Sequence, residues 1–286
     1  MSSPNPTDIE CTGRDGIGLR GRIWSPSGAP STVAVLVHGL KDHSGRYAEV
    51  AASLTNAGAV VVAFDLRGHG RSGGDRAWVR TFGDYGSDLD AEIQAVRTRY
   101  SDPPLLLFGH SMGGAIAARY TLDHPERVGS LVLSAPALRP PPGTSAAAGG
   151  VVRLLSGLAP HTRIFKPDIS GFSRDPTVVD RIQRDPLVDP RPVPARTAAE
   201  LLRTMGTLRA DARKLAVRLL AFHGTADRVT DIRGTTEFVD HVASADRRLV
   251  RVPGAYHDLF HEPEAADLRR ELVQFADAGP SQPPSP

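Results

Sequence analysis

Ser111 is the first residue in this sequence whose setting suggests chemistry. It is the centre of Gly-His-Ser-Met-Gly at residues 109–113, which follows an apolar run at 105–108 and opens a stretch rich in small residues. Between a strand and a helix, a G-x-S-x-G sequence typically forms a sharp turn that exposes the serine hydroxyl. The N-terminus of the following helix favours developing negative charge there. We therefore predict that Ser111 is a nucleophile.

A serine hydroxyl needs a general base to take its proton and a carboxylate to orient that base. Asp227 follows the apolar run 219–222, and His257 follows the run 249–252. Both residues are predicted at the carboxyl ends of parallel strands, the edge of the sheet that also holds Ser111. The chain order serine, aspartate, histidine is that of the α/β-hydrolases. We predict that the three residues form a catalytic triad.

Three competing interpretations are weaker. Asp231 could replace Asp227 as the triad acid, but it lies where the N-cap of the next helix is expected. His257 and His261 have the spacing of a zinc pair, yet Asp258 stands where a zincin needs glutamate. Residues 68–73 match G-x-G-x-x-G, but a polar loop follows them instead of a helix. No metal or cofactor is predicted.

Acyl transfer also requires N–H donors for the oxyanion that forms in the transition state. One donor is expected from the residue after the nucleophile, which is Met112, and the other from the loop after the predicted strand at 33–37. That loop begins His-Gly-Leu, so Leu40 is the expected second donor. Only the backbone matters for this role, so the apolar side chain of Leu40 is no objection.

These residues must be positioned by a sheet whose strands alternate with helices. Continuous apolarity predicts strands buried on both faces, and the alternation predicts a mostly parallel sheet with helices on both sides. An earlier segment, Leu19 to Trp24, is predicted to form antiparallel edge strands with residues near Ile9. The predicted strands are 32–38, 59–64, 105–108, 128–134, 218–222 and 247–252. The predicted helices are 47–57, 84–100, 111–124, 232–242 and 264–276.

The alternation of strands and helices stops between residues 139 and 213. This segment starts with three prolines, continues through a Gly/Ala-rich stretch and contains short helical patterns without a convincing strand. We predict that 139–213 is a helical cap inserted between two parts of an α/β-hydrolase core, 8–138 and 214–278. The chain ends, 1–7 and 279–286, are predicted to be disordered.

One helical pattern in the predicted cap has an apolar face. Its residues are Val151, Val152, Leu154, Leu155 and Leu158. This face could pack on the core, or it could form a hydrophobic lip around a substrate entrance that contacts a lipid surface. The sequence leaves both interpretations open.

Composition excludes several classes of function. The 34 basic and 32 acidic residues nearly balance, and no basic run is interleaved with aromatic residues, so nucleic-acid binding has no support. Cys11 is the only cysteine, which rules out a disulfide within the chain. No secretory signal or membrane span is visible, so we expect a cytoplasmic protein, with peripheral association at membranes or lipid droplets left open.

Five sequence blocks together resemble the monoacylglycerol lipase family of α/β-hydrolases. The resemblance extends from about residue 10 to 277 and includes the predicted cap. The blocks are His-Gly-Leu-Lys-Asp-His-Ser-Gly-Arg-Tyr at 38–47, Phe-Asp-Leu-Arg-Gly-His-Gly-Arg-Ser at 64–72, Gly-His-Ser-Met-Gly-Gly at 109–114, Asp-Pro-Leu at 185–187 and Gly-Ala-Tyr-His at 254–257. The first block in particular separates this family from generic esterases.

The resemblance implies hydrolysis of a monoacylglycerol to a fatty acid and glycerol without a cofactor, with the acyl chain in an apolar channel beneath the cap. The expected binding partner is a monoacylglycerol or another single-chain acyl ester. It carries the roles of nucleophile, orienting acid and base onto Ser111, Asp227 and His257, and the oxyanion hole onto Leu40 and Met112. A broader carboxylesterase or lysophospholipase with the same triad is the alternative. A non-catalytic ligand-binding protein of the same fold is a remote one.

The resemblance also implies candidate substrate-binding residues. Asp42 and Arg46 occupy positions near the glycerol side of the site, although a salt bridge that fixes their loop is an equal alternative. Leu154 and Leu155 are candidates for the entrance lip. Phe260 stands where vertebrate members have a pocket histidine, and Ile182 stands where they have a tyrosine, so the contacts to the glycerol head are expected to differ.

Overall fold

Continuous apolar runs form the inner strands of one eight-stranded sheet. The computed structural model describes residues 5–141 and 143–278. The strand order in the sheet is β1-β2-β4-β3-β5-β6-β9-β10. These strands span Thr7–Thr12 (β1), Gly18–Trp24 (β2), Thr32–Val37 (β3), Ala59–Phe64 (β4), Leu105–His110 (β5), Ser130–Ser134 (β6), Arg218–Gly224 (β9) and Arg247–Val252 (β10).

The sheet is parallel from β4 to β10, and β1 and β2 add an antiparallel edge. The predicted mostly parallel sheet and its antiparallel edge near Ile9 are confirmed. Every residue of β4 and β5 is buried, because parallel strands are covered by helices on both faces. Parallel strands end at the same edge, so the loops that follow β3, β5, β9 and β10 meet there.

Two helices cover one face of the sheet and three cover the other. Residues of α1 and α8 belong to one buried apolar cluster, and residues of α2, α3 and α7 belong to another. The helices of the described chain span Ala48–Asn56 (α1), Phe82–Arg97 (α2), Met112–Asp123 (α3), Ala146–Leu158 (α4), Pro176–Arg184 (α5), Ala195–Asp211 (α6), Ile232–His241 (α7) and Ala265–Asp277 (α8). None of the helices in 5–141 and 143–278 is long and apolar enough to cross a membrane.

The segment between β6 and β9 contains α4, α5 and α6, as the inserted helical patterns predict. It also contains two short strands that the sequence analysis did not predict, Arg163–Phe165 (β7) and Val193–Pro194 (β8), which pair antiparallel. Strands of two or three residues are too short to show the period of two that identifies a strand.

Of the chain ends predicted to be disordered, residues 1–4 and 279–286 lie outside the described residues. Thr7 belongs to β1 and pairs with Ile23, so the first ordered element begins one residue earlier than predicted.

Candidate active site

Ser111 lies in a turn that only glycine neighbours permit. Its φ of 54° and ψ of −119° place it between β5 and α3 in a left-handed conformation that residues with side chains rarely adopt. A Cβ atom on Gly113 would lie 2.2 Å from the carbonyl oxygen of Val37, and one on Gly109 would lie 2.4 Å from that of Gly113. The glycines let the turn close tightly enough to hold the hydroxyl above the N-terminus of α3.

The structure brings Ser111, His257 and Asp227 into one hydrogen-bonded chain. The Nε2 atom of His257 lies 2.9 Å from Ser111 Oγ, and its Nδ1 atom lies 2.8 Å from Asp227 Oδ2. Because an ionised carboxylate only accepts hydrogen bonds, the Nδ1–H donates to Asp227, and Nε2 is left to accept from the serine hydroxyl. The imidazole of His257 is only 1% exposed. This geometry can move a proton from the serine to the histidine.

Asp227 is held as a carboxylate by several donors. Its Oδ1 atom accepts from the backbone N–H groups of Val229 and Thr230, and its Oδ2 atom accepts from the Thr230 hydroxyl at 2.8 Å. Burial raises the pKa of Asp227, but His257, together with hydrogen bonds that include His223, lowers it more strongly, so the pKa lies well below its usual range.

Asp231 does not contact His257 in the structure. It is the N-cap of α7, where its side chain accepts from the backbone N–H of Arg233 at 3.0 Å. The same carboxylate also pairs with the guanidinium groups of Arg233 and Arg139. This capping position is the one that the sequence predicts for it.

Leu40 and Met112 both border the space above Ser111. Met112 is the first residue of α3, so its N–H has no carbonyl partner within the helix. Gly39, the neighbour of Leu40, approaches Ser111 so closely that a Cβ on it would lie 3.2 Å from Ser111 Cβ. The two backbone segments predicted to form an oxyanion hole therefore flank the serine.

A cavity of about 470 Å³ begins at Ser111 and extends under the inserted segment. Ligand pockets of this size commonly enclose a small organic molecule. The core contributes a few of its walls and the segment between β6 and β9 contributes most of them. None of the lining residues among the described ones is charged, so the cavity suits an apolar group.

The apolar face of α4 is divided between this cavity and the surface. Val152 and Leu155 line the cavity. Leu154 and Leu158 are 61% and 78% exposed and are not among the lining residues. The predicted binding role of Leu154 therefore finds no contact inside the cavity, because its side chain leaves the helix on the solvent side.

Asp42 and Arg46 form the salt bridge that was the alternative to a glycerol contact. Arg46 Nη1 donates to Asp42 Oδ1 at 3.0 Å, its Nη2 pairs with Asp258, and the Tyr47 hydroxyl donates to Asp42 Oδ2 at 2.8 Å. Neither residue lines the cavity. Buried opposite charges pair with each other because an unpaired buried charge is costly, and a role for the two residues in binding substrate stays a prediction.

Phe260 packs in the core of the protein, and its role in binding substrate stays a prediction. It is 4% exposed, and its ring packs edge to face on Phe108 and Phe222 with centroids 5.3 and 5.6 Å apart. These rings belong to the cluster beneath α1 and α8, and Phe260 is not among the cavity residues. An aromatic ring in the turn after His257 thereby completes this part of the core.

Both ring nitrogens of His261 lie within hydrogen-bond distance of an oxygen acceptor. Its Nδ1 atom lies 2.8 Å from Asp258 Oδ1 and its Nε2 atom 2.9 Å from the Arg46 carbonyl oxygen. Both ring nitrogens face acceptors, so the ring is doubly protonated when both bonds are made. Burial lowers the pKa of His261, but the neighbouring Asp258 raises it more, and the pKa is raised overall.

Two residues near the triad were missed by the sequence analysis. Thr230 donates to Asp227, and the ring of Phe172 packs edge to face on His257 with centroids 5.4 Å apart. The backbone N–H of Asp258 also donates to the carbonyl of Phe172 at 2.7 Å. Phe172 lies in the inserted segment, 85 positions before His257, and no sequence pattern connects the two.

Comparison with known proteins agrees with this geometry. Residues 28–264 match the family described as "Serine aminopeptidase, S33". A monoacylglycerol lipase of Mycolicibacterium smegmatis is 36% identical over 92% of this chain and 94% of its own. A phospholipase of Bacillus subtilis is 30% identical over 87% of this chain and 96% of its own. The crystal structure of Paleococcus ferrophilus monoacylglycerol lipase superimposes with a TM-score of 0.82 at 28% identity, over 91% of this chain and 98% of that one.

Two findings lead to one assignment: a family model matches most of the sequence, and a monoacylglycerol lipase is more than 30% identical along nearly the whole length of both chains. The chain belongs to the monoacylglycerol lipase family of α/β-hydrolases.

Proposed function

We propose that this protein is a serine hydrolase that cleaves monoacylglycerols to a free fatty acid and glycerol. The observation that carries the proposal is the hydrogen-bonded chain of Ser111, His257 and Asp227 at the floor of an uncharged apolar cavity. The reacting serine therefore borders the cavity that would bind the acyl chain. When the acyl chain fills the cavity, the ester carbonyl lies at Ser111. The similarity to monoacylglycerol lipases supports the same substrate class.

The reaction has two steps, and His257 carries the proton in both. Ser111 Oγ attacks the ester carbonyl carbon while His257 Nε2 takes the hydroxyl proton, and the tetrahedral intermediate collapses when His257 returns that proton to the glycerol oxygen. Water then attacks the acyl-enzyme in the same way and releases the fatty acid. Asp227 stays ionised throughout and stabilises the imidazolium. The backbone N–H groups of Leu40 and Met112 bind the oxyanion.

The walls of the cavity support a neutral, single-chain substrate. Binding of a peptide amino terminus, as an aminopeptidase requires, would call for a carboxylate, and none of the described lining residues carries one. In this proposal residues 139–213 act as a cap that encloses the acyl chain and leaves no room for a second one. Diacylglycerols and triacylglycerols are then excluded by volume.

The exposed apolar side chains around the cavity support a role in contact with a lipid surface. Val151, Leu154, Leu158 and Phe165 are the large apolar side chains exposed in the described part of the chain, and all four belong to the inserted segment. Val151 and Phe165 also line the cavity. Docking of this face on a membrane or a lipid droplet would let a substrate pass from lipid to cavity without crossing water.

A substrate panel tests the proposed function. The purified protein is assayed with a monoacylglycerol, a diacylglycerol and a triacylglycerol of the same chain length, and with the Ser111→Ala variant as the blank. We expect kcat/KM for the monoacylglycerol to exceed that for the diacylglycerol by about tenfold or more, which is about 1.4 kcal/mol in the transition state. Comparable hydrolysis of triacylglycerol would contradict the closed cavity.

Lysophospholipid hydrolysis is the second candidate, and the identity to the phospholipase of Bacillus subtilis favours it. A lysophospholipid has the same single acyl chain, so the cavity accepts it equally well, and selection then depends on the charged head group. Faster turnover of a lysophospholipid than of the monoacylglycerol with the same chain would make this the main activity.

A further inference from the structure

The buried imidazole of His38 joins the loop after β3 to the loop after β4. Its Nδ1 atom lies 2.7 Å from the carbonyl oxygen of Gly39, and its Nε2 atom accepts from the backbone N–H of Leu66 at 2.9 Å. The side chain is 1% exposed. The triad does not use this ring, and its two bonds therefore require a separate explanation.

The partners of His38 fix its tautomer. The Leu66 N–H can only donate, so Nε2 of His38 must be the unprotonated nitrogen. A carbonyl oxygen can only accept, so Nδ1 carries the hydrogen and donates it to Gly39. The ring is neutral in this arrangement. Burial lowers the pKa of His38 against the opposing effects of Asp42 and Asp65, which is consistent with a neutral ring.

The hydrogen bond from His38 to the Gly39 carbonyl also sets the direction of the Leu40 N–H. The two groups belong to the same trans peptide unit, in which C=O and N–H point in opposite directions within one plane. When His38 binds the carbonyl oxygen on one side, the Leu40 N–H is turned to the other. Leu40 lines the cavity that begins at Ser111, and Gly39 lies against Ser111, so the peptide that His38 holds is the one beside the proposed oxyanion site.

We propose that His38 is a positioning residue for the oxyanion hole, acting through the Gly39–Leu40 peptide. The inference rests on the proposed function, because it assigns a cause to the orientation of one of the proposed oxyanion donors. His38 does not touch the substrate. It prevents the peptide from rotating, so that the Leu40 N–H is already aimed when negative charge develops on the substrate oxygen.

The alternative is that His38 only anchors the loop at Leu66, and a matched pair of variants separates the two roles. In His38→Asn the amide nitrogen can occupy the place of Nδ1 and donate to Gly39, while the Leu66 N–H loses its acceptor. In His38→Gln the amide oxygen can reach the place of Nε2 and accept from Leu66, while Gly39 loses its donor. The proposal predicts that the glutamine variant is the more damaged in catalysis.

The experiment measures kcat and KM with a soluble short-chain ester, together with melting temperatures. We expect His38→Gln to lower kcat by about 10–100-fold with little change in KM, because a misaimed donor weakens only transition-state binding. His38→Asn should keep kcat close to that of the wild type. A trifluoromethyl ketone that forms a tetrahedral adduct with Ser111 should lose affinity for the glutamine variant by a factor similar to the loss in kcat.

Equal kcat losses in the two variants, or a greater loss in His38→Asn, would overturn the proposal. If neither variant folds, NMR of the wild-type imidazole decides. A scalar coupling across the hydrogen bond from His38 Nδ1 to the Gly39 carbonyl carbon supports the proposal, and an Nε2–H tautomer or the absence of that coupling contradicts it. Ser111→Ala separates this inference from the function. Loss of activity in Ser111→Ala with full activity in His38→Gln refutes only the role of His38, whereas an active Ser111→Ala refutes the proposed function itself.

Discussion

His43 Nε2 and Asp185 Oδ2 lie 2.9 Å apart although 142 positions separate the two residues in the chain. His43 belongs to the loop after β3 that also carries Leu40, and Asp185 is the C-cap of α5 in the inserted segment. The Nζ atom of Lys41 donates to the Arg191 carbonyl in the same region. The inserted segment is therefore tied to the loop proposed to bind the oxyanion.

A double-mutant cycle on His43→Ala and Asp185→Ala tests this tie. We expect a coupling free energy of about 1 kcal/mol in unfolding, since the imidazole is buried and the carboxylate is partly exposed. Equilibrium urea unfolding of the four proteins gives the value. Additive losses would mean that the two side chains stabilise their own segments independently.

Substitution within the triad should separate Asp227 from its neighbour Asp231. Ser111→Ala and Asp227→Asn should each lower kcat by about a thousandfold or more, because one removes the nucleophile and the other disturbs the tautomer of His257. Asp231→Asn is the matched control, since asparagine is as good an N-cap as aspartate. Its kcat should stay near that of the wild type. A severe loss in Asp231→Asn with mild loss in Asp227→Asn would reverse the assignment.

Leu154 and Leu155 offer a second matched pair of substitutions. They are adjacent in α4, but Leu154 faces the solvent and Leu155 faces the cavity. Leu154→Ser should lower activity on long-chain monoacylglycerol in micelles but not on a soluble short-chain ester, since an apolar side chain that enters lipid contributes about 1.5–3 kcal/mol. Leu155→Ser should lower activity on long-chain substrate in either form. Equal losses for Leu154→Ser on both substrates, with a lower melting temperature, would show that Leu154 serves packing.

The serine turn should tolerate no side chain at Gly113. Gly113→Ala would place a Cβ 2.2 Å from the Val37 carbonyl oxygen, a backbone atom that cannot move away without shifting β3. We expect a loss in the free energy of unfolding of about 3 kcal/mol or more. Gly150→Ala in α4 is the control, because its Cβ meets nothing within 4 Å, and alanine there should stabilise by about 0.5–1 kcal/mol.

Buried neutral histidines should lower the free energy of unfolding as the pH falls below about 6.5. Burial lowers the pKa of His69 to about 3 and that of His110 to about 4. Below about pH 6.5 the unfolded chain takes up protons that the folded chain does not, so each group reduces stability by about 1.4 kcal/mol per pH unit until it titrates in the folded state. Urea unfolding at pH 7.0, 6.0 and 5.0 measures the slope.

His69→Asn checks the assignment of this slope. Asparagine can keep the bond from Nδ1 of His69 to the Arg67 carbonyl but cannot take up a proton. The variant should show a flatter dependence of the free energy of unfolding on pH. A wild-type stability that is constant from pH 7 to pH 5 would contradict the prediction.

Much of the fold could be predicted because the inner strands of the sheet are continuous apolar runs bounded by turn residues. The strands 59–64 and 247–252 have the predicted limits, and most of the others differ by one or two residues at an end. Ser111, Asp227 and His257 could be placed near one another because each follows a strand of one parallel sheet. Their catalytic roles and the cap limits 139–213 stay predictions.

The sequence was less informative where the direction of a side chain depends on residues that are distant in the sequence. The apolar face of α4 indicated a cluster, but only the packing of α4 on α6 decides that Leu155 faces the cavity and Leu154 the solvent. Arg46 pairs not only with Asp42 but also with Asp258, which is 212 positions away in the chain. The ring of Phe260 packs on Phe108 of β5 and Phe222 of β9, which are far from it in the sequence.

Most of the cavity wall comes from one continuous stretch of the chain, and this has an evolutionary consequence. The proposed nucleophile, base and acid all belong to loops at the ends of the sheet strands, whereas most side chains that line the cavity lie between β6 and β9. Replacement of that one continuous stretch by its counterpart from another hydrolase could transfer chain-length selectivity without altering the reacting groups. New specificities can therefore arise on this scaffold by recombination within a single interval of the gene.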